Sequence, residues 1–537
     1  MPREIAPGRS CLECRRRKIK CDRSHPCAYC VKVRINCKYP IRPTLHDEHS
    51  LTRVASLETK LLAVEKRLAE IGDPLQSTSP AATELSRSRG QKPQDAEAPD
   101  GMKNPVIETS HFPTTDFPSL LSKPRASVDV DSLRPSVAMI AALWQNYLET
   151  LDPLLKIFHT PTVQKLVISA VHGREKLELA SECLLFAIYY GSVASMSPAD
   201  CRLQFEEERH VLLKRYRTAV EHLLPRLKLL ESVDMTVLQA FAIYLITGRC
   251  DEDGPDVYAL VGLAVGMALK MGLNRDGAAL GLPPFEVEMR RRLWWQLFIL
   301  DIRVAEDRRS EPCILESSFN TRLPSNIPDT NLHPKMTQPP VSAPGRTEML
   351  FSLVRFEGSY FARQMVFSDS FGEQNAYITL TTSQKAHTID IFQERIEQQY
   401  LSYLDDNIPF DKITAESARL VLAKIKLMII ESKHAHNGPS DEQVTRRRGW
   451  IKILEDAERL REYVDGKKWL WLFQTYIEWD ALAQLLLSLR AEPFGVEADR
   501  AWNMAFRIYD YWKHAEGTRR DQRWKQIEEL RLETIRE

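Results

Sequence analysis

The chain has 537 residues, 43% of them hydrophobic, and its 73 basic residues are balanced by 73 acidic ones. That length exceeds one ordinary compact domain and predicts a small N-terminal module plus one large or two medium domains. The apolar fraction suffices for a sizeable core, and zero net charge by itself excludes inferring a polyanionic partner from the total.

The charge is unevenly placed. Residues 1–42 hold twelve Lys/Arg against three Asp/Glu, a local net charge of +9 that leaves −9 for the remainder. Such a module concentrates a polyanion around itself and binds it in a salt-dependent way. The opening MPREIAPGRS has no apolar run of the kind that directs secretion. The longest uncharged stretches, 183–199, 235–248 and 257–269, are interrupted by Ser and Pro or too short for a membrane span, and read as buried helices. These features predict an intracellular, reducing compartment, where clustered cysteines hold metal more often than they form disulfides.

Six cysteines lie in the basic module: Cys11, Cys14, Cys21, Cys27, Cys30 and Cys37, spaced C-x2-C-x6-C-x5-C-x2-C-x6-C. A C-x2-C turn lets two thiolates hold one ion, and tetrahedral zinc takes four ligands. Six thiolates satisfy two zinc ions only if two of them bridge, so a binuclear cluster is the natural stoichiometry. The cluster is net anionic, and adjacent Lys and Arg offset it. Metal binding also supplies folding free energy that about 30 residues cannot draw from an apolar core. The blander reading of the same cysteines is a structural zinc knob that binds protein.

The segment CLECRRRKIKCDRSHPCAYCVKVRINC resembles the Zn2Cys6 binuclear zinc-cluster domain of fungal transcription regulators. It carries all six cysteines at the family spacing, the run Arg15-Arg16-Arg17-Lys18-Ile19-Lys20, and Pro26 before the fourth cysteine. The resemblance implies two Zn2+ ions per chain, with Cys11 and Cys27 bridging. One zinc would take Cys11, Cys14, Cys21 and Cys27, and the other Cys11, Cys27, Cys30 and Cys37. It also implies double-stranded DNA as partner. A short helix after Cys14 would present its C-terminal end to the major groove, where guanine O6 and N7 accept from Lys or Arg. Arg17 and Lys18 are then the candidates for base contact, to a CGG-type triplet. Arg15, Arg16, Lys20, Arg23, Lys32 and Arg34 are expected on phosphates, which position the module without specifying sequence. A solvated face or a nuclear import signal is the plainer account of the basic run.

Val54, Leu57, Leu61, Val64, Leu68 and Ile71 follow at intervals of 3, 4, 3, 4 and 3, the a and d positions of a coiled coil. Arg53, Lys60 and Arg67 fall at g, and Glu58 and Glu65 at e, so that opposite charges face each other across a parallel pair. Thr44 and Asp47 resemble a capping box, and Gly72-Asp73-Pro74 ends the pattern. Residues 44–71 are therefore predicted as a dimerisation helix of a homodimer, with packing on the chain's own body as the alternative. Residues 72–135, rich in Pro, Ser, Thr and Ala, read as a disordered linker.

From 136 to 537 apolar residues recur at three- and four-residue intervals, which predicts an all-helical region. Loops are expected near 322–346 and at His436-Asn437-Gly438-Pro439. The fold class expected is thus mainly α: a small N-terminal binuclear zinc cluster, a short coiled coil, a flexible linker and a large all-α regulatory region. A second resemblance covers roughly residues 180–335, within which segment 257–332 is similar to the fungal-specific regulatory domain that accompanies the zinc cluster. The matching residues are Gly272-Leu273-Asn274-Arg275, Glu288-Met289-Arg290-Arg291-Arg292-Leu293-Trp294-Trp295, Asp301 and Leu323-Pro324. The family's Gly-Arg-Pro-like step is replaced by Arg309-Ser310-Glu311-Pro312.

A helix is predicted over 287–304, with Leu293, Leu297, Leu300 and Val304 on one face and both tryptophans in the core. Glu288 and Arg292 form an i,i+4 pair. Arg290–Arg292 are expected in an intramolecular charge network, and Asp301 is expected to pair with an arginine. Cys183, Cys201, Cys250 and Cys313 are scattered and expected buried, and His434 and His436 lie on a predicted surface loop.

No hydrolase, zinc-protease, P-loop or dinucleotide motif is present, and Asp251-Glu252-Asp253-Gly254 lacks the remaining ligands of a calcium loop. The sequence therefore predicts no catalytic residue. It predicts a nuclear, sequence-specific DNA-binding regulator of RNA polymerase II transcription, governing a biosynthetic (secondary-metabolite) or catabolic gene set, with coactivators as further partners. The alternatives are a metabolite sensor whose helical body binds a small effector, and a zinc-bearing interaction scaffold.

Overall fold

The computed structural model describes residues 14, 21–22, 27–33 and 37 of the cysteine-rich module. Beyond it, residues 128–536 are described apart from 173–176, 230, 252, 309, 372–381, 432–439, 475–477 and 515–521. The dimerisation helix of 44–71 and most of the linker therefore lie outside the described residues, as do His434 and His436. The chain divides into two compact units, Met1–Ile107 and Glu108–Glu537.

The second unit is built from helices, and no strand occurs among the described residues. Its helix starts follow from short polar caps. Ser136 Oγ accepts the Met139 N–H, Ser197 accepts the Asp200 N–H ahead of Pro198, and Asp234 and Asp256 accept amides two residues on. Each cap satisfies a first-turn donor that has no partner within its helix. Two of the three uncharged stretches are buried helices, as expected, within Leu179–Ala194 and Met235–Gly248; the third, in Val257–Lys270, buries one face and leaves Tyr258 and Leu269 exposed. Leu179–Ala194, nearly all buried, is the central one and packs against Val137–Thr150, Arg209–Arg226 and Met235–Gly248. Helices apolar all round belong in a core, and no single described helix is long and apolar enough to cross a membrane. Gly191 permits this packing: a Cβ there would lie 2.9 Å from Leu151 Cδ2 and 3.2 Å from Thr247 Cγ2.

The predicted helix over 287–304 is longer, Pro284–Arg308, with Leu293, Trp294, Trp295, Leu297, Leu300 and Val304 all buried. The stretch 322–346 is irregular apart from one turn, Asp329–Asn331. The end of the segment read as linker differs from expectation. Val130 is buried, Asp131–Leu133 form a 3-10 turn, and Arg134 pairs with Glu182, so the body is already packed from about residue 128.

Two hydrophobic cores share the unit. The first runs through the helices from Val137 to Pro409–Glu431. The second gathers Trp450, Ile451, Leu454, Leu482, Leu485, Ile508 and Trp524 from the Trp-rich C-terminal part, whose Trp469 and Trp471 join the first core instead. Two helices serve both: Leu422 and Leu460 enter the first core, while Leu420 and Ile451 enter the second.

Candidate zinc centre and the charged core of the body

Among the described residues of the first unit, the buried side chains are cysteines. Cys14, Cys21, Cys27, Cys30 and Cys37 are each no more than 8% exposed, and Tyr29 packs against them. Cys27 stands in the middle. Its Sγ lies 3.6 Å from Cys14 Sγ and accepts the Cys30 N–H at 3.5 Å, and its own N–H donates to Cys37 Sγ at 3.3 Å. The sulfurs of Cys14, Cys27 and Cys30 all lie within 4.8 Å of one another.

A separation of 3.6 Å is far too long for a disulfide, whose sulfurs sit about 2.05 Å apart. It is close to the edge of a tetrahedron with zinc–sulfur bonds of about 2.3 Å. Five buried thiols have little reason to cluster without a cation to hold them, so the donor set fits zinc. Cys27 also groups with Cys21 and Asp22. Asp22 itself was not singled out by the sequence. Its carboxylate accepts the Ala28 N–H at 3.0 Å and so helps start the Ala28–Lys32 helix, whose N-cap is Cys27. Lys32 ends that helix, exposed, between the exposed Val31 and Val33. Cys11, Arg15, Arg16, Arg17, Lys18, Lys20, Arg23 and Arg34 lie outside the described residues.

In the second unit the three consecutive arginines of the Pro284–Arg308 helix all turn inward to partners. Arg290 bonds Glu286 and the Met271 carbonyl. Arg291 grips Asp276 through two nitrogens, at 2.9 and 2.8 Å. Burial opposes ionisation of Asp276, but the bonds from Arg291 and the Arg322 amide hold its carboxyl below the ordinary range. Arg292 is fully buried; it lies 3.5 Å from Glu288, as the i,i+4 spacing predicts, and 2.7 Å from Asp329. Asp329 continues the network to Lys156 at 3.7 Å, and Lys156 reaches Asp152 at 2.7 Å and Glu348 at 2.6 Å. Lys156 has a left-handed backbone, φ 43°, a strained conformation for a non-glycine residue that these ion pairs help to hold.

Two expectations need correction. Asp301 does not take an arginine as its direct partner: its carboxylate accepts the Cys313 and Ile314 amides at 2.9 and 2.8 Å, pinning the loop that replaces the family's Gly-Arg-Pro step. Arg363 stands near but donates to the Ile314 carbonyl. Cys183 and Cys201 are buried and Cys250 partly so, but Cys313 is exposed: it sits on the loop that its amide and its thiol both tie to Asp301. The Gly272-Leu273-Asn274 motif is a helix stop. Gly272 has φ +70°, its N–H donates to Leu269 and that of Leu273 to Ala268, and Leu273 is buried beyond the turn.

Comparison with known proteins now bears on both units. Residues 9–45 match the model of the fungal Zn(2)-Cys(6) binuclear cluster domain, and residues 144–400 match that of the fungal specific transcription factor domain. The aurofusarin cluster transcription factor of Gibberella zeae is 30% identical over 529 residues, covering 95% of this chain and 76% of its own. This chain belongs to the fungal Zn2Cys6 transcription-factor family. Transcriptional regulator AacuB of Aspergillus aculeatus is 27% identical over 93% of this chain and 78% of its own. The pyriculol/pyriculariol biosynthesis cluster transcription factor 1 of Pyricularia oryzae is 35% identical over 47% of this chain and 34% of its own. As a Zn2Cys6 factor the chain takes two zinc ions. The family's helical domain, matched over 144–400, is wider than the resemblance over roughly 180–335: it also takes in Lys156 and the helices Thr160–His172 and Leu350–Phe371.

Proposed function

We propose that this Zn2Cys6 factor is a nuclear, sequence-specific regulator of RNA polymerase II transcription that controls a biosynthetic gene set. It acts as a homodimer, with each zinc cluster reading a CGG-type half-site, and by binding rather than by catalysis. The observation that carries the reading is the six-cysteine module, in which a run of six residues with five positive charges is held between two metal ligands. In this reading Cys11, Cys14, Cys21, Cys27, Cys30 and Cys37 hold the two ions, with Cys11 and Cys27 shared. Arg17 and Lys18 reach base edges, and Arg15, Arg16, Lys20, Arg23, Lys32 and Arg34 meet phosphates. The biosynthetic assignment is supported by the relatives named for the aurofusarin and pyriculol/pyriculariol clusters.

The test is duplex binding by full-length zinc-loaded protein and by its Lys18→Ala variant. Removing one base contact should relax discrimination at one guanine by roughly 1–3 kcal/mol. A variant that keeps both zinc ions and binds guanine-bearing and scrambled duplexes as the parent does would refute the role of Lys18. Binding to partners that is insensitive to salt would favour a zinc-bearing scaffold, since phosphate contacts release counterions.

A further inference from the structure

A cavity of about 530 Å³ lies inside the helical body, on the seam between its two hydrophobic cores. Phe351, Val354 and Ile425 wall it from the first core, and Leu420, Ile453 and Ala457 from the second. Packed interiors hold few voids larger than a water molecule, whereas pockets for small organic ligands run from about 300 to 1,000 Å³.

The charges in the wall are unbalanced. Six Arg or Lys side chains line the cavity against four Asp or Glu. One carboxylate, Glu478, serves two of the cations: Lys424 at 2.8 Å and Arg461 at 3.2 Å. Arg461 is 6% exposed and is stacked against Tyr511 and Trp512, 5.3 and 5.5 Å from their ring centres. Its Nη2 has no hydrogen-bond acceptor among the described residues. A buried donor left without an acceptor costs about 1–3 kcal/mol, and an anionic group in the cavity would remove that cost.

We propose that this cavity binds an acidic, mainly apolar small molecule, with its anionic group on Arg461 and its body between the two cores. The site is independent of the DNA-reading assignment, since it lies wholly within the helical body. A ligand there touches both cores, so its binding stabilises one arrangement of the seam.

The test uses full-length zinc-loaded protein and two fluorescent probes that share an apolar body: 1-anilinonaphthalene-8-sulfonate, which is anionic, and N-phenyl-1-naphthylamine, which is neutral. The parent should bind the sulfonate saturably, one per chain. Arg461→Met should weaken the sulfonate roughly tenfold to a hundredfold, the loss of one charge-assisted hydrogen bond, and leave the neutral probe unchanged. Arg461→Lys should recover part of the loss.

Gly358→Leu gives a second arm. Gly358 lines the cavity within the Leu350–Phe371 helix, and a Cβ there would meet Val421 Cγ1 at an ordinary 3.7 Å. Leucine favours the helix and fills the space, so both probes should be lost while helicity and melting temperature hold. No saturable binding by the parent, or sulfonate binding unchanged in Gly358→Leu, would overturn the proposal.

Discussion

Replacing Arg292 by methionine tests the charged core of the body. The side chain is fully buried and joins Glu288 at 3.5 Å to Asp329 at 2.7 Å. Methionine keeps most of the volume and removes the charge, leaving two carboxylates short of a cation. Breaking a buried ion pair from one side costs about 3–5 kcal/mol. Here the loss should sit at the low end, because Asp329 keeps the Thr160 amide at 3.0 Å and Lys156 at 3.7 Å. With roughly 2.1 cal/mol/K of unfolding entropy per residue over a body of about 410 residues, 3 kcal/mol corresponds to a drop of about 3–4 °C in melting temperature. The assay is thermal unfolding of full-length protein followed by far-UV circular dichroism. Pairing the change with Asp329→Asn should cost less than the sum of the two singles, since the groups are in contact. A melting temperature unchanged by Arg292→Met, or strict additivity with Asp329→Asn, would refute the network.

Four other outcomes follow from named residues. His159 is bonded on both ring nitrogens, to Thr162 and the Asp329 carbonyl; burial, with Arg292 and Lys156 nearby, holds its imidazole below the usual value of 6.5 against the pull of Asp329. The unfolded chain therefore takes the proton first, and the stability His159 contributes above about pH 6.5 is lost as pH falls towards the folded value. The melting temperature of His159→Gln should accordingly fall less than the parent's between about pH 7.5 and 5.5. Gly272→Ala should destabilise by roughly 1–2 kcal/mol, because φ there is +70° although the new Cβ meets nothing closer than Arg290 at 3.6 Å. Gly266→Ala, a helical site with nothing within 4 Å, should stabilise by up to about 1 kcal/mol, and denaturant titration measures both. Leu61→Asp should leave the chain monomeric in sedimentation if residues 44–71 form the dimer helix, and a dimer unchanged by it would place the interface elsewhere.

Legibility in the sequence tracks how local each cause is. The zinc module is readable because metal coordination demands thiolates at short fixed spacing, and Cys14, Cys27 and Cys30 do converge. Helices are readable because burial imposes a period near 3.6 residues, which Leu293, Leu297, Leu300 and Val304 display. The Glu288–Arg292 pair lies one helical turn apart and shows for the same reason. Asp329 sits 37 residues from Arg292, and Lys156 sits 192 from Glu348, so only the tertiary fold joins them. Asp301 misled because an acid on an apolar face suggests a cation, whereas backbone amides of a loop satisfy it and leave no mark in side-chain identity. Cys313 misled because cysteine is commonly buried, and here it sits exposed on a loop tied to Asp301. The cavity is invisible in the sequence because its walls come from helices of two separate cores.

The family's zinc stoichiometry underlies everything claimed for the N-terminal unit. Native mass spectrometry of the full-length chain, run before and after chelation alongside duplex-binding titrations, measures it most directly. Two zinc ions per chain, with duplex affinity lost when they are removed and restored on zinc return, is the expected result. A chain that carries no zinc, or one that binds the same duplex equally well once stripped of it, would contradict the account.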